Sequence, residues 1–166
     1  MHPDEFRTEY EKCSGNLYSF LVRTIGDPDD AADVLQEAVY RAYKNRKRFR
    51  KDSSFSTWLY RIAINVWKNQ QKKTAHKVSM EMDQMPLIES ETTLTPEKIL
   101  AGKQVFTDIS EALNLLDEKY RAPFLLRQVD GFSYRKIADI MEIDENAARV
   151  RVYRARHALL DMTGGE

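Results

Sequence analysis

Apolar residues along most of the chain recur at the three- and four-residue spacing of an α-helix. No stretch shows sustained two-residue alternation bounded by hairpin turns, so the pattern predicts an all-α fold. Residues 74–96 break the pattern, because they lack helical periodicity and contain Ser, Thr and two prolines. We therefore predict two small helical domains, at 1–73 and 97–161, joined by a flexible linker at 74–96.

One helix of the first domain is predicted to begin after Asp27, which can cap it, with Pro28 in its first turn. Its apolar stripe, the predicted core, consists of Ala31, Leu35, Ala38, Val39 and Ala42. The opposite face is acidic at its beginning and is either an ordinary solvated surface or a surface for a partner. That face carries Asp33, Gln36, Glu37, Tyr40 and Lys44.

A second helix is predicted to begin near Ser56, with a core stripe of Leu59, Ile62, Ala63 and Val66. A polar ridge faces away from that stripe. Cations along a ridge bind phosphates, and an asparagine can hydrogen-bond a base edge, so the ridge favours DNA as a partner. The ridge consists of Arg61, Asn65, Lys68 and Lys72.

The segment KRFRKDSSF before this helix places Phe49 and Phe55 among Arg, Lys and Ser in a predicted loop. Aromatic rings interleaved with cations are typical of surfaces that bind unstacked single strands. Both rings can equally anchor the loop to the core, and the sequence leaves the two interpretations open. Trp58 and Trp67 are predicted to pack in the core or at its border.

The second domain contains a predicted helix-turn-helix. Ser133 can cap the first helix, residues 142–144 form a short break, and Asp144 can cap the second helix. Four apolar positions define the buried side of the second helix. They are Ala148, Val152, Ala155 and Leu159.

The remaining faces of that second helix are basic and polar. Residues near its beginning are placed to reach base edges in a major groove, whereas arginines nearer the borders of the buried stripe suit backbone phosphates. The alternative is a helical bundle with a basic surface helix. The candidate base readers are Asn146, Arg149, Val150 and Tyr153, and the other basic residues of the helix are Arg151, Arg154 and Arg156.

Charge is segregated along the chain although its formal net charge is zero. Residues 1–40 hold 3 basic and 9 acidic residues, whereas residues 41–77 hold 12 basic residues and 1 acidic residue. A second acidic block at 78–118 precedes a second basic block at 119–158. A charge excess of this size within 41–77 exceeds what solubility requires and favours a polyanionic partner.

Several function classes are disfavoured. No run of about 18 apolar residues is present, and the first residues are acidic, so we expect a cytoplasmic protein without membrane insertion. The single cysteine, Cys13, is expected to fill core space, and neither a metal nor a cofactor is predicted. His2, His76 and His157 form no acid–base constellation, so we do not expect an enzyme.

The order of the motifs resembles the extracytoplasmic-function (ECF) sigma factors of bacterial RNA polymerase. DVLQEAVYRAY and FRKDSSFSTWLYRIAINVWKN are followed by a linker and then by LDEKYRAPFLLRQVDGFSYRKIADIM and RVRVYRARHAL. The resemblance implies a specificity subunit that binds core polymerase and directs promoter recognition, DNA melting and transcription initiation. It also implies a probable anti-sigma factor as a partner, and a linker that threads toward the RNA exit path.

The resemblance assigns three sets of residues. Binding to the clamp helices of the largest polymerase subunit is implied for the segment with Asp33, Gln36, Glu37 and Arg41, and the flap of core polymerase is implied as a further partner of the chain. Capture of melted non-template bases of the minus-ten element is implied for Phe49, Arg50, Ser54, Phe55, Arg61, Asn65, Lys68 and Lys72. Binding to the minus-thirty-five duplex is implied for Arg135, Lys136, Asn146, Arg149, Val150, Arg151, Tyr153, Arg154 and Arg156.

One segment departs from the family pattern. The family often has a Gly-Thr-Val-Lys/Arg-Ser-Arg type of sequence where the reading helix begins, whereas residues 146–151 here are Asn-Ala-Ala-Arg-Val-Arg. Ala147 and Val150 replace hydroxyl residues that can hydrogen-bond phosphates or bases. The minus-thirty-five sequence therefore cannot be inferred from the family.

The alternative function is a stand-alone helix-turn-helix regulator that binds operator DNA as a dimer. It requires a dimer interface, and no heptad run or long apolar helix supplies one. It also leaves the basic ridge of the first domain without a role.

Overall fold

The computed structural model describes residues 1–81 and 109–164, with the backbone alone for residues 74–81. Those residues form seven α-helices, one turn of 3₁₀ helix and no strand, which confirms the all-α prediction. The helices are α1 (Pro3–Ile25), α2 (Pro28–Lys44), the 3₁₀ turn (Arg46–Arg48), α3 (Phe55–Glu81), α4 (Ile109–Leu115), α5 (Glu118–Gln128), α6 (Tyr134–Met141) and α7 (Glu145–Thr163).

The chain divides into two compact units, one containing α1 to α3 and the other containing α4, α5, most of α6 and α7. In the first unit α2 packs against both α1 and α3. In the second unit α7 packs against α4 and α5. Each unit has its own apolar core, as the predicted division into two domains requires.

Helix α2 begins where the sequence predicts. The Asp27 carboxylate accepts hydrogen bonds from the backbone N–H groups of Asp29 and Asp30, at 2.8 and 3.0 Å. The buried stripe differs from the prediction at three residues: Val34 is fully buried, whereas Leu35 and Val39 are only half-buried. Helix α2 packs against helices on two sides. The residues that it buries are therefore centred between these two neighbours and not on the middle of the predicted apolar stripe.

Helix α3 is capped by Ser54 rather than by Ser56. The Ser54 hydroxyl accepts a hydrogen bond from the Thr57 backbone N–H at 3.2 Å, and the Ser54 carbonyl accepts from the Trp58 N–H at 3.1 Å. The buried side of α3 is wider than predicted, since α3 contacts both α1 and α2. It includes Leu59, Tyr60, Ala63, Ile64, Val66 and Trp67, whereas Ile62 is half-buried.

Helix α3 continues to Glu81, beyond the predicted domain boundary at residue 73. The backbone of residues 74–81, part of the predicted linker, is therefore helical. Residues 82–96, the rest of the predicted linker, lie outside the described residues, as does the predicted beginning of the second domain at residue 97. Residues 74–81 lack an apolar stripe in the sequence, and periodicity is the signal on which the predicted boundary depended.

The core of the second unit forms where α4 crosses α7, and it contains Ala112, Leu116, Ala155, Leu159 and Met162. Arg121 joins α5 to the end of α4: its Nη1 donates to the carbonyl oxygens of Leu113 and Asn114, at 3.3 and 3.4 Å. Burial lowers the pKa of Arg121, and the nearby carboxylates of Glu118 and Asp117 oppose that shift.

The helix-turn-helix has the predicted boundaries. The Ser133 hydroxyl accepts from the Lys136 N–H at 3.2 Å, and the Asp144 carboxylate accepts from the Ala147 N–H at 2.7 Å. Glu142 adopts a positive φ of 56°, which reverses the chain between α6 and α7. The four predicted buried residues of α7 are all buried, at 4% exposure or less.

Candidate nucleic-acid interface

The outer face of α2 presents the four residues expected to bind core polymerase. Asp33, Gln36 and Arg41 are exposed and Glu37 is half-buried. The Arg41 Nε donates to the Glu37 carboxylate at 2.6 Å, one helical turn away. This face borders an open groove of about 480 Å³, whose lining is partly acidic and partly aromatic. The lining residues are Phe6, Asp33, Gln36, Glu37, Val39, Tyr40 and Tyr43.

The polar ridge of α3 lies on the side of the helix that the core leaves uncovered. Arg61, Asn65 and Lys68 are half-buried, and Lys72 is exposed. Because these residues follow one another at three- and four-residue spacing, they align along one side of the helix. The predicted ridge is therefore a continuous surface of the first unit.

Phe49 and Phe55 have different environments. Phe55 is 6% exposed and packs edge-on against Phe6, with ring centres 5.2 Å apart. Of the two interpretations for Phe55, the burial favours anchoring to the core, and its expected contact with melted bases stays a prediction. Phe49 is half-buried, and its ring lies over Trp58 with a centre-to-centre distance of 4.9 Å.

A small cleft of about 150 Å³ opens between the loop at residues 49–54 and the first turns of α3. Aromatic rings and cations share its wall, which is the combination that stacks on a base and neutralises its phosphate. Its lining residues are Arg48, Phe49, Arg50, Lys51, Asp52, Ser53, Trp58 and Arg61. Arg48, Lys51 and Trp58 were not among the predicted DNA contacts, although their position in or beside the basic aromatic segment was a usable signal.

Ser54, expected to contact DNA, is exposed and is committed to the helix cap described above. Its hydroxyl also lies 2.8 Å from the Thr57 hydroxyl. Ser54 lies at the end of the loop, so the cap of α3 is directly beside the cleft. Ser54 therefore fixes where the loop ends and the ridge begins.

The second unit presents the expected reading face of α7. Asn146, Arg149, Arg154 and Arg156 are exposed and Arg151 is half-buried. Val150 is 36% and Tyr153 is 64% exposed, so both side chains are accessible on this face. The exposed apolar surface of Val150 suits contact with a thymine methyl group. Arg135 and Lys136, at the beginning of α6, are also exposed.

Arg149 is held by two neighbours. Its Nη2 donates to the Glu145 carboxylate at 3.0 Å, and its guanidinium lies over the Tyr134 ring, 5.0 Å from the ring centre. Arg127 of α5 approaches the same ring at 4.3 Å, and its Nη1 donates to the Phe132 carbonyl. Arg127 and Tyr134 were not among the predicted site residues, because these contacts join three separate helices.

No helix within residues 1–81 and 109–164 is both long enough and apolar enough to cross a membrane.

Comparison with family models identifies both units. The Sigma-70 region 2 model matches residues 10–77, and the Sigma-70, region 4 model matches residues 106–159. The region 2 match covers the basic ridge that a stand-alone helix-turn-helix regulator would leave unexplained. The matches therefore support a sigma factor over that alternative.

Curated relatives agree with the family models. The RNA polymerase sigma-H factor of Pseudomonas aeruginosa is 32% identical over 155 residues, which cover 89% of this chain and 80% of that protein. The ECF RNA polymerase sigma-E factor of Escherichia coli K12 is 35% identical over 137 residues, which cover 78% of this chain and 72% of that protein.

Two solved structures share the fold. The sigma factor RpoE of Bartonella quintana, in complex with the anti-sigma factor NepR, aligns with a TM-score of 0.77 at 23% identity and covers 96% of this chain and 97% of its own. CnrH, in complex with the cytosolic domain of CnrY, aligns with a TM-score of 0.68 at 19% identity and covers 99% of this chain and 91% of its own. From the family matches and the curated relatives together, we conclude that the chain belongs to the ECF group of the sigma-70 family of RNA polymerase sigma factors.

Proposed function

We propose that this sigma factor divides promoter recognition between its two units. The first unit consists of the predicted domain 1–73 and the end of α3. It binds core polymerase and melted minus-ten bases. The second unit, predicted at 97–161, binds the minus-thirty-five duplex through α7. The observation that carries the proposal is the pairing of a basic cleft containing aromatic rings in one unit with an exposed basic reading helix in the other.

The first unit contributes two surfaces to this function. The outer face of α2 binds the clamp helices of the largest polymerase subunit, and its mixed charge suits a partner that carries both signs. The cleft and the ridge of α3 receive the non-template strand. Trapping an unstacked base costs a few kcal/mol of lost stacking, which ring contacts at Phe49 and Trp58 and hydrogen bonds from Asn65 can offset.

The second unit positions the holoenzyme on duplex DNA. Arg149, near the beginning of α7, donates two parallel hydrogen bonds to a guanine edge, and Asn146 pairs with an adenine edge. Arg151, Arg154 and Arg156 bind backbone phosphates, so the affinity falls with rising salt concentration. The protein contributes binding energy throughout, and the bond chemistry belongs to the polymerase.

Reconstituted transcription tests the proposal. Bacterial core polymerase is supplied with this protein alone and with a library of promoter fragments, and the transcripts are sequenced. Specific initiation that depends on the protein, from fragments sharing two spaced motifs, is the expected result. Initiation from none of the fragments would contradict the proposal.

We also propose that an anti-sigma factor occludes these surfaces in the cell cytoplasm. One structural neighbour is a sigma factor in a co-crystal with an anti-sigma factor, and the other, CnrH, is in complex with the cytosolic domain of CnrY. The test is purification of the tagged protein from its native host before and after induction of its regulon. A partner that is bound before induction and that blocks binding to core polymerase in vitro supports the proposal. Recovery of core polymerase alone under both conditions would contradict it.

A further inference from the structure

The first turn of α1 contacts the loop that forms the cleft, although about 46 positions separate them in sequence. The Lys51 Nζ donates to the Glu5 carboxylate at 3.0 Å. The amino group of Met1 donates to the Arg46 carbonyl in the 3₁₀ turn at 3.5 Å. Two separate points near the beginning of the chain therefore hold the segment at residues 46–51.

The backbone at Lys51 requires such support. Its φ of 59° lies in the left-handed region, which is unfavourable for a residue with a Cβ atom. A backbone of this kind persists where surrounding contacts hold it. The ion pair with Glu5 acts on the same residue that carries the unfavourable angle, and Lys51 lines the cleft.

Aromatic packing makes a second connection between α1 and the cleft. Phe6, the residue after Glu5, packs edge-on against Phe55, with ring centres 5.2 Å apart. Phe55 in turn contacts Phe49 at 6.0 Å and Trp58 at 5.8 Å. Phe49 and Trp58 are the two aromatic walls of the cleft, so α1 supports both the polar side and the aromatic side.

The Lys51 side chain favours the ionised form of Glu5. Its hydrogen bond from Lys51 and the Lys51 charge lower the pKa of the Glu5 carboxyl below its ordinary value. Burial opposes this shift, and the amino-terminal charge and a hydrogen bond from the His2 backbone add to it. The direction of this shift agrees with the ion pair between the two side chains.

We propose that the first turn of α1, through Glu5 and Phe6, is a positioning element that holds the loop at residues 49–54 open for a melted base. The inference rests on the proposed function of the cleft. It extends that function to a segment that lies before the region 2 match at residue 10. Glu5 and Phe6 act through Lys51 and Phe55 and make no contact with DNA themselves.

The charge of Glu5 allows a decisive test, because two explanations predict effects of opposite sign. An acid that only lies near the DNA repels it, so neutralising that acid raises the affinity for any promoter fragment equally. An acid that positions the loop supports base capture, so neutralising it lowers the preference for fragments that carry the captured bases.

The experiment uses holoenzyme and forked promoter fragments selected with that holoenzyme from a random library. Dissociation constants are measured for fragments with native unpaired minus-ten bases and for fragments with abasic sites at those positions. The quantity compared is the dissociation constant for the abasic fragment divided by that for the native fragment. We expect Glu5→Gln to reduce this ratio by about two- to fivefold, the range of an exposed ion pair. The matched control is Glu11→Gln, which removes the same charge from the same helix at a carboxylate paired with Arg7, and we expect its ratio to be unchanged.

A double variant separates the ion pair from other effects. In Lys51→Asn the new residue tolerates the left-handed backbone but lacks the cation. If the pair acts as a unit, the variant with both substitutions has the same ratio as each single variant. Three results would overturn the inference. They are losses of the two single variants that multiply in the double variant, an unchanged ratio in Glu5→Gln, and an equal rise in the affinity for both fragments. A wild-type holoenzyme that binds native and abasic fragments equally would instead overturn the proposed function of the cleft.

Discussion

The guanidinium of Arg149 lies over the ring of Tyr134, with its Cζ 5.0 Å from the ring centre. Tyr134 is the first residue of α6 and Arg149 lies in the second turn of α7, so the contact joins the two helices of the helix-turn-helix. The Glu145 carboxylate holds the same guanidinium from within α7. The side chain proposed to read a base is therefore oriented before DNA binds, which reduces the entropy lost on binding.

This contact predicts different effects for two substitutions of Tyr134. Tyr134→Leu removes the ring and should weaken binding to a minus-thirty-five duplex about threefold, the size of an exposed cation–π contact. Tyr134→Phe retains a ring for Arg149 and should bind almost as the wild type does. Fluorescence anisotropy of labelled duplex with holoenzyme measures both. An equal loss in both variants would show that the hydroxyl, rather than the ring, is responsible.

Arg149 and Asn65 are predicted to act at different steps of initiation. Arg149→Ala should weaken duplex binding about tenfold, because a bidentate contact to guanine is lost. Asn65→Ala should leave duplex binding almost unchanged and slow open-complex formation, because its amide is proposed to hold a melted base. Gel mobility shift and permanganate footprinting measure the two steps. Equal effects of both substitutions on both steps would contradict the division between the units.

Ser54 and Ser56 provide a matched test of the cap of α3. Ser54→Ala removes the acceptor for the Thr57 N–H and should lower the free energy of unfolding by about 1 kcal/mol. Ser56→Ala should be nearly neutral, since the Ser56 hydroxyl only contacts that of Ser54, at 3.2 Å. Urea unfolding followed by circular dichroism measures the difference. A larger loss for Ser56→Ala would mean that the helix begins two residues later.

Two glycines of α1 should respond in opposite directions to alanine. Gly26 ends the helix with a φ of 85°, so Gly26→Ala should destabilise the protein by about 1 kcal/mol. Gly15 lies within the helix with open space around an added Cβ atom, so Gly15→Ala should stabilise it by about 0.5–1 kcal/mol. Thermal unfolding measures both, and a shift of the same sign in both variants would contradict this account.

The Cys13 thiol should react slowly with alkylating reagents in the native protein. Burial, with a contribution from the Glu9 charge, raises the pKa of the thiol from 9.0 to about 11. Because only the thiolate reacts, the folded protein should be alkylated about a hundredfold more slowly at pH 8 than the urea-unfolded protein. Iodoacetamide labelling followed by mass spectrometry measures the rates. Equal rates in the two states would show that the thiol is freely accessible.

Local signals in the sequence were sufficient for the helix-turn-helix and for the beginning of α2. Asp27, Ser133 and Asp144 cap the helices that their positions predict, and the buried side of α7 is the predicted one. A cap depends on one side chain and on the backbone two or three residues away, so the sequence contains all of it. The apolar stripe of α7 is also local, because helical geometry alone determines which residues share a face.

Tertiary structure decided the features that depend on residues distant in sequence. Val34 rather than Leu35 is fully buried because α2 has neighbours on two sides, and Phe55 belongs to the core because Phe6 packs against it. The sequence alone therefore determined an all-α protein with two basic surfaces and the family to which it belongs. Only the fold decided which aromatic side chains line the cleft and that Glu5 reaches Lys51. Contacts between residues distant in sequence require the chain to close long loops. No local pattern in the sequence shows which loops close.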